Sequence, residues 1–445
     1  MSAKELAIFG GTAVLTTEDH RTWPQVGDEE RAAVMRVLDR GVLSGGDAPE
    51  ARAFEREFAA HAGTKHALLT HSGTSALQVA VAALGIEAGD EVIVPSYSFV
   101  ATALAVMCQG GIPRFVDVRA DTGNLDPALV EAAIGERTRA IMPVHVHGCP
   151  ADMDEILAIA ERHGLAVIED AAQAHLATYQ KRPVGSIGAA AGFSLQSSKN
   201  LSAGEGGVLT TNDDALMERA NQARNFGQDI ALASRDGYDI ARALDGRPHV
   251  SLFPGHMFRG NEMMAAFARA QLAKLPERTA AAQANARRLS EALSELPGIT
   301  PPVVPGDRTS VFHKFRVRFD AREAGIDLPD RALRGALVAA LNAEGANTVL
   351  WQDHALPEHP LVTKLEGFGR GWPFVAGGAP DALRASYASA NFPNTRALLD
   401  SSVVLFSQTR PLIAQDAAVV DRYAEAFRKV WDQRDRLVEL ANAAS

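Results

Sequence analysis

The chain is 445 residues long, 47% hydrophobic and 22% charged, which is ordinary for a soluble globular protein with enough length for two domains. Its net charge of −10 argues against a general affinity for nucleic acid or an anionic membrane, while leaving room for a local basic pocket that takes a phosphate. The two cysteines, Cys108 and Cys149, have no metal-like spacing, Met1 to Gly11 has no signal-peptide pattern, and no apolar run approaches the roughly 20 residues of a membrane span, so a metal-free cytoplasmic protein without a disulfide framework is expected.

In chain order, residues 1–30 are expected to join a smaller domain formed mainly by the far end of the chain. From Phe58 to Arg224, short apolar runs alternate with helix-like stretches. The pattern predicts strands at His66 to Thr70, Glu91 to Pro95, Pro113 to Val118, Ala140 to Val146, Ala166 to Asp170, Ala190 to Gln196 and Val208 to Thr211. Helices fall at Thr74 to Leu84, Phe99 to Gln109 and Asp152 to His163. The expectation is an α/β fold: a large domain over 31–275 with a mostly parallel sheet flanked by helices. Residues 229–254 read as a polar insertion within it. After Gln271 the texture changes. Pro276 to Leu296 reads as one helix with the proline in its first turn. Val311 to Phe319 reads as a strand, Arg331 to Ala343 as a helix, and 413–442 as an amphipathic helix. Residues 276–445 are thus a smaller C-terminal α/β domain.

Candidate chemistry sits at the ends of the predicted strands, where such sheets bind ligands. Ser72-Gly73-Thr74-Ser75 joins a strand to a helix, and a helix N-terminus with hydroxyls and a tight turn is a phosphate seat. Pro95-Ser96-Tyr97-Ser98-Phe99 closes another strand with aromatics able to stack on a ring. Val167-Ile168-Glu169-Asp170 is an apolar strand ending in an acid, with Gln173 following and Ser194 on the next strand. Lys199 lies between small polar residues and the turn Gly204-Glu205-Gly206-Gly207, where desolvation would make its amine a usable nucleophile. An acid to keep a pyridine nitrogen protonated and a lysine to hold an aldehyde as a Schiff base are what pyridoxal phosphate chemistry needs. Taken singly, each feature has a plainer reading: a helix cap, a core phenylalanine, a turn-capping acid, a surface lysine. Their joint order favours the site.

The pieces Ser72-Gly73-Thr74-Ser75-Ala76-Leu77, Gly89-Asp90-Glu91-Val92-Ile93-Val94-Pro95, Pro143-Val144-His145, Glu169-Asp170-Ala171-Ala172-Gln173-Ala174-His175 and Ser197-Ser198-Lys199-Asn200-Leu201 resemble the DegT/StrS-like sugar and cyclitol aminotransferases, which are fold-type-I pyridoxal phosphate enzymes. The similarity runs over most of residues 8–275. The resemblance implies that Lys199 carries the cofactor and that Asp170 meets the pyridine nitrogen. It also implies that Gln173 meets the ring hydroxyl, that Thr74, Ser75 and Ser194 with Gly73 hold the phosphate, and that Phe99 stacks on the ring. It implies a homodimer using a small-molecule amino donor, glutamine or glutamate, and a keto acceptor. Phe9-Gly10-Gly11 with Thr22-Trp23-Pro24 looks like the cyclitol branch of antibiotic pathways, and a nucleotide-linked keto-sugar is the alternative acceptor.

The chain departs from the family pattern in Gly255-His256-Met257-Phe258-Arg259-Gly260-Asn261-Glu262. There Met257 stands where the family places an asparagine that reaches the partner's phosphate, with His256 and Asn261 as nearby polar substitutes. Sugar dehydratases of the same family replace the lysine by histidine, against which Lys199 speaks. A cofactor-bound regulator is the non-catalytic alternative, without a DNA-binding module to support it. Arg235, Arg242 and Arg247 in the insertion read either as a diphosphate clamp or as charges balancing the insertion's acids.

Overall fold

The computed structural model describes residues 5–45, 48–229, 250–378 and 380–444. Its central element is a seven-stranded sheet built from β1 (His66–Thr70), β2 (Glu91–Pro95), β3 (Ile112–Val116), β4 (Thr138–Ile141), β5 (Ala166–Asp170), β6 (Ala190–Ser194) and β7 (Gly207–Thr211). The order is β1-β7-β6-β5-β4-β2-β3. All neighbours are parallel except β7, which runs antiparallel to both β1 and β6. Strands such as β2, β6 and β7 are buried along their whole length, as expected of sheets covered on both faces.

Helix α1 (Asp28–Arg40) packs its Ala33 and Val37 against Ala266, while α2 (Pro49–Ala62), α3 (Gly73–Ala83), α4 (Ala101–Met107), α5 (Met153–His163) and α6 (Asp214–Arg224) cover the sheet. One face packs Leu77, Val81, Val106, Met217 and Ala220 against Leu68, Val94 and Leu209. The other packs Phe54 and Phe58 of α2 against Leu69, Phe193 and Val208. Because the parallel strands share one direction, Asp170 and Ser194, the last residues of β5 and β6, emerge on the same edge of the sheet.

The helix expected from Pro276 begins earlier. α7 (Glu262–Ser294) runs for 33 residues with Pro276 inside it. Its start is set by Asn261, whose side chain accepts from the Met264 amide at 2.9 Å, so a cap signature overrides the proline as the N-terminal marker. At about 1.5 Å per residue α7 spans roughly 50 Å. Its first half (Ala265, Ala268, Leu272, Leu275) belongs to the core of the large sheet, and its second half (Ala286, Leu289, Leu293) to a separate core.

That second core surrounds a three-stranded antiparallel sheet of β8 (Ile299–Thr300), β9 (Phe315–Phe319) and β10 (Ser402–Leu405) in the order β8-β9-β10. It adds α8 (Asp330–Ala343), α9 (Ala417–Asp432) and α10 (Asp435–Ala444), together with Leu6 and Leu15 from the N-terminal segment. The amphipathic stretch over 413–442 is therefore two helices. The strand expected from Val311 starts only at Phe315, because Val311 and His313 bond to Asn200 and Gly148 instead. Between α8 and β10 the chain returns to the large sheet: Leu356, Val362, Leu365, Phe374, Leu383, Tyr387 and Phe392 join its core.

Asp229, the first residue of the insertion, donates its amide to the Val250 carbonyl at 2.8 Å. Residues 230–249, with Arg235, Arg242 and Arg247, lie outside the described residues. Among the described residues no helix is long and apolar enough to cross a membrane.

Candidate active site

At the carboxyl edge of the sheet lies a cavity of about 280 Å3. It is lined by Ser72, Gly73, Thr74, Phe99, Asp170, Gln173, Ser194 and Lys199 from the large domain. His313, Lys314, Trp351 and Gln408 close it from the C-terminal part of the chain.

The helix end of the cavity is built by close approach. Ser72 caps α3, its hydroxyl accepting from the Ser75 amide at 3.0 Å. The amides of Gly73 and Thr74 lie in the first turn and have no intrahelical acceptor. A Cβ on Gly73 would stand 2.6 Å from Ser194 Cβ, and one on Gly207 would stand 2.1 Å from the Ser72 carbonyl oxygen. Glycine at these two places is what lets the end of β6, the start of β7 and the start of α3 form one rim. Ser75, which the resemblance assigns to the phosphate, turns its hydroxyl into the cap instead. That hydroxyl donates to the Ser72 carbonyl at 2.8 Å and lies 2.8 Å from His71 Nδ1, and Ser72 occupies the rim.

Asp170 is buried, with Oδ2 accepting from the Thr102 hydroxyl at 2.7 Å and Oδ1 from the Ala172 amide at 3.2 Å. Burial pushes its pKa up, against the Thr102 and Ala172 hydrogen bonds and the charge of Lys199. Gln173 accepts a hydrogen bond from the His147 amide at 2.9 Å through its side-chain oxygen, which leaves its amide nitrogen as the end available to a ligand. Phe99 lines the cavity with 54% of its surface exposed, a large apolar cost without a ring to cover it.

Lys199 is anchored by its backbone. Its amide donates to the Gln196 carbonyl at 2.8 Å, and its carbonyl accepts from Trp23 Nε1 at 2.9 Å. The N-terminal segment thus fixes the lysine from the far side. Burial pushes the amine pKa down to about 8, with Asp170 pulling the other way. The next residue, Asn200, ties this loop to the small domain through the Val311 carbonyl at 2.9 Å and His313 Nδ1 at 3.4 Å.

These residues fit pyridoxal phosphate. A desolvated lysine and a buried acid face one cavity, a helix opens onto it over a rim that no Cβ could enter, and an uncovered aromatic stands at its wall. Among the described residues no cluster of His, Cys, Asp and Glu is arranged to hold a metal ion.

Sequence reasoning missed Thr102, His313, Lys314 and Trp351. Thr102 sits within a helical run that carries no catalytic pattern, and a lysine at the head of a predicted strand gives no sign of being buried. Met257 is 43% exposed, with its backbone bridged to Asn225. The two proposed substitutes are already engaged: His256 stacks on Phe258 with ring centroids 4.4 Å apart, and Asn261 caps α7.

The profile of the DegT/DnrJ/EryC1/StrS aminotransferase family matches residues 24–370. The chain is 37% identical over 439 residues to a putative L-glutamine:3-amino-2,3-dideoxy-scyllo-inosose aminotransferase of Streptoalloteichus tenebrarius, covering 97% of this chain and 99% of that protein. It is 44% identical over 296 residues to a dTDP-3-amino-3,4,6-trideoxy-alpha-D-glucose transaminase of Streptomyces venezuelae, covering 66% of this chain and 73% of that protein. Among solved structures, a 3-amino-5-hydroxybenzoic acid synthase superimposes with a TM-score of 0.78 at 30% identity, covering 93% of this chain and 99% of that one.

Proposed function

Because the chain belongs to the DegT/DnrJ/EryC1/StrS aminotransferase family and is a pyridoxal phosphate-dependent transaminase, we propose that it moves an amino group from glutamine or glutamate to the ketone of a cyclitol or sugar, most simply a free polyhydroxylated cyclic ketone of a secondary-metabolite pathway. The observation that carries this reading is the placement of Lys199 and Asp170 in one cavity under an open helix N-terminus. The near full-length similarity to a putative L-glutamine:3-amino-2,3-dideoxy-scyllo-inosose aminotransferase supports the donor and the acceptor class. A nucleotide-linked keto-sugar is the second reading, favoured by the similarity to a dTDP-sugar transaminase.

Pyridoxal phosphate supplies an aldehyde that takes up the amino group and a ring that accepts the electron pair left when a substrate carbon loses its proton. The chain's residues do the rest. Asp170, ionised, would hold a proton on the ring nitrogen, and Thr102 holds Asp170 in place. Gln173 would meet the ring hydroxyl. Ser72, Thr74, Ser194 and the first amides of α3 would bind the phosphate, and Phe99 would cover one ring face. Lys199 Nζ would carry the cofactor and then move the proton between carbons. With a pKa near 8 a useful fraction of it is free base at neutral to mildly alkaline pH.

We take the working form to be a cytoplasmic homodimer. Leu43, Phe226, Leu252, Met257 and Met263 are large apolar residues, each at least 36% exposed. The backbone hydrogen bonds Glu262 to Leu43, Leu252 to Gly227 and Phe226 to His256 place them on adjoining segments, which supports an interface there. The test of the substrate reading is turnover of the amino-loaded enzyme with inososes and with keto nucleotide-sugars. Reaction with inososes is expected, and reaction confined to nucleotide-sugars would replace the first reading with the second.

A further inference from the structure

Lys314 is 4% exposed, lines the cavity, and has no hydrogen-bond partner for its amine. A buried ammonium without a counter-charge costs several kcal/mol, and proteins rarely keep one without a use. Lysines elsewhere in the molecule show the usual arrangement. Lys274 bridges Glu29 at 3.0 Å and Glu30 at 2.7 Å, and Lys429 bridges the buried Glu344 at 2.9 Å. No ion pair joins Lys314 to a carboxylate among the described residues, and the charge that acts on it is the like charge of Lys199.

Its position says what kind of ligand would complete it. Lys314 follows His313, which meets Asn200, the residue next to Lys199. It therefore reaches the cavity from the small-domain side, within electrostatic range of the lysine that does the chemistry. Every α-amino acid donor carries its carboxylate on the same carbon as the amine it gives up. That carboxylate must enter the cavity beside the reacting atoms. The diphosphate of a nucleotide-sugar is separated from the reacting carbonyl by several bonds of sugar ring, and a free cyclitol has no anion at all.

We infer that Lys314 binds the α-carboxylate of the amino donor and so selects amino acids over simple amines in the first half of the reaction; this rests on the aminotransferase reading above. Burial, which pushes the Lys314 amine down to about 8, leaves it mostly charged at neutral pH and ready to pair. It is a binding and specificity residue, not the group that moves the proton.

The test uses the holoenzyme with Lys314→Met and Lys314→Arg. The donor half-reaction is followed by cofactor absorbance with glutamine and glutamate, and glutarate, a dicarboxylate that cannot react, is titrated by calorimetry. Lys314→Met should raise the donor KM and weaken glutarate by roughly tenfold to a hundredfold, the range for losing a charge-assisted bond. Pyridoxal phosphate affinity and the acceptor half-reaction should hold, and Lys314→Arg should recover part of the loss. Because Lys314→Met removes an unpaired buried charge, its melting temperature should equal or exceed that of the wild type. Unchanged donor KM and glutarate affinity would overturn the inference. So would a loss confined to cofactor affinity, which would assign the lysine to the cofactor phosphate, or one confined to the acceptor half-reaction. If the wild type takes no amine from either donor, the functional reading fails, and the glutarate titration still decides whether Lys314 is a carboxylate site.

Discussion

Glu169 and Asp170 are adjacent acids at the end of β5, and their surroundings differ completely. Glu169 has no exposed surface and accepts from His145 at 3.1 Å and from the amides of Gly185, Ile187 and Gly188 at 2.8 to 2.9 Å. Burial raises its pKa, but His145 and those amides outweigh it and hold the carboxyl below its ordinary value. Asp170 faces the cavity with one hydroxyl and one long amide contact, and burial wins: its pKa is raised. The same contrast separates Lys429, 2.9 Å from the buried Glu344, from Lys199 and Lys314, both pushed down to about 8 by burial. A buried charge whose bonds are complete serves the fold. A buried charge left short of partners marks where a ligand enters.

The contrast is broken most severely at Lys199. Lys199→Ala should lower both half-reactions at least roughly 10³-fold, because nucleophile and proton carrier disappear together. Stopped-flow absorbance with donor and then acceptor checks this, and near-normal rates would show that the cavity lysine is not the working one.

Exchanging charge for amide at the two neighbouring acids should give opposite results. Asp170→Asn should cut transamination by roughly 10²-fold or more, with melting temperature kept, since the amide cannot hold the ring proton. Glu169→Gln should leave the cofactor spectrum in place while costing about 3 to 5 kcal/mol in denaturant unfolding, the scale for breaking a buried pair. Equal effects of the two variants on either readout would remove the distinction.

Thr102→Val sharpens it more finely. Without the hydroxyl, Asp170 loses the contact that holds its charge, so its pKa should rise further and the acid limb of the kcat profile should move to higher pH. The rate at neutral pH should fall roughly tenfold, the scale of one hydrogen bond to a charged group. An acid limb that stays in place would assign that limb to another group.

A separate effect is on apoprotein stability against pH. Lys199 and Lys314 have folded-state pKa values near 8, below the ordinary 10.5, so each must shed a proton early to be comfortable in the fold. Their cost is full below about pH 8 and fades as pH rises toward 10.5, at most about 3 kcal/mol each. Wild-type stability should therefore gain on Lys314→Met as pH goes from 8 to 10, measured as the difference between their unfolding free energies. A constant difference across that range would mean that Lys314 is not desolvated.

Much of this was legible in the sequence. Alternating apolar runs and helical stretches located every strand of the large sheet, because strands buried on both faces are written as continuous apolar segments. The order Gly73, Asp170, Gln173, Ser194, Lys199 along strand ends placed the cavity. What could not be read comes from elements distant in sequence. Thr102 matters only because the first turn of α4 brings its hydroxyl to Asp170 at the end of β5. Trp23 reaches the Lys199 carbonyl across 176 positions. Lys314 looked like one polar residue of a strand, since no local pattern shows that the small domain folds it into the site. The reciprocal cap between Ser72 and Ser75 likewise shows only in the folded turn, where each hydroxyl finds the other residue.

The most direct test of the central claim, that the under-partnered charges of this cavity are its catalytic centre, is borohydride reduction of the holoenzyme followed by peptide mapping. The account predicts one pyridoxyl group per chain, fixed to Lys199. A label on Lys314 or on any other lysine, or none at all, would contradict it.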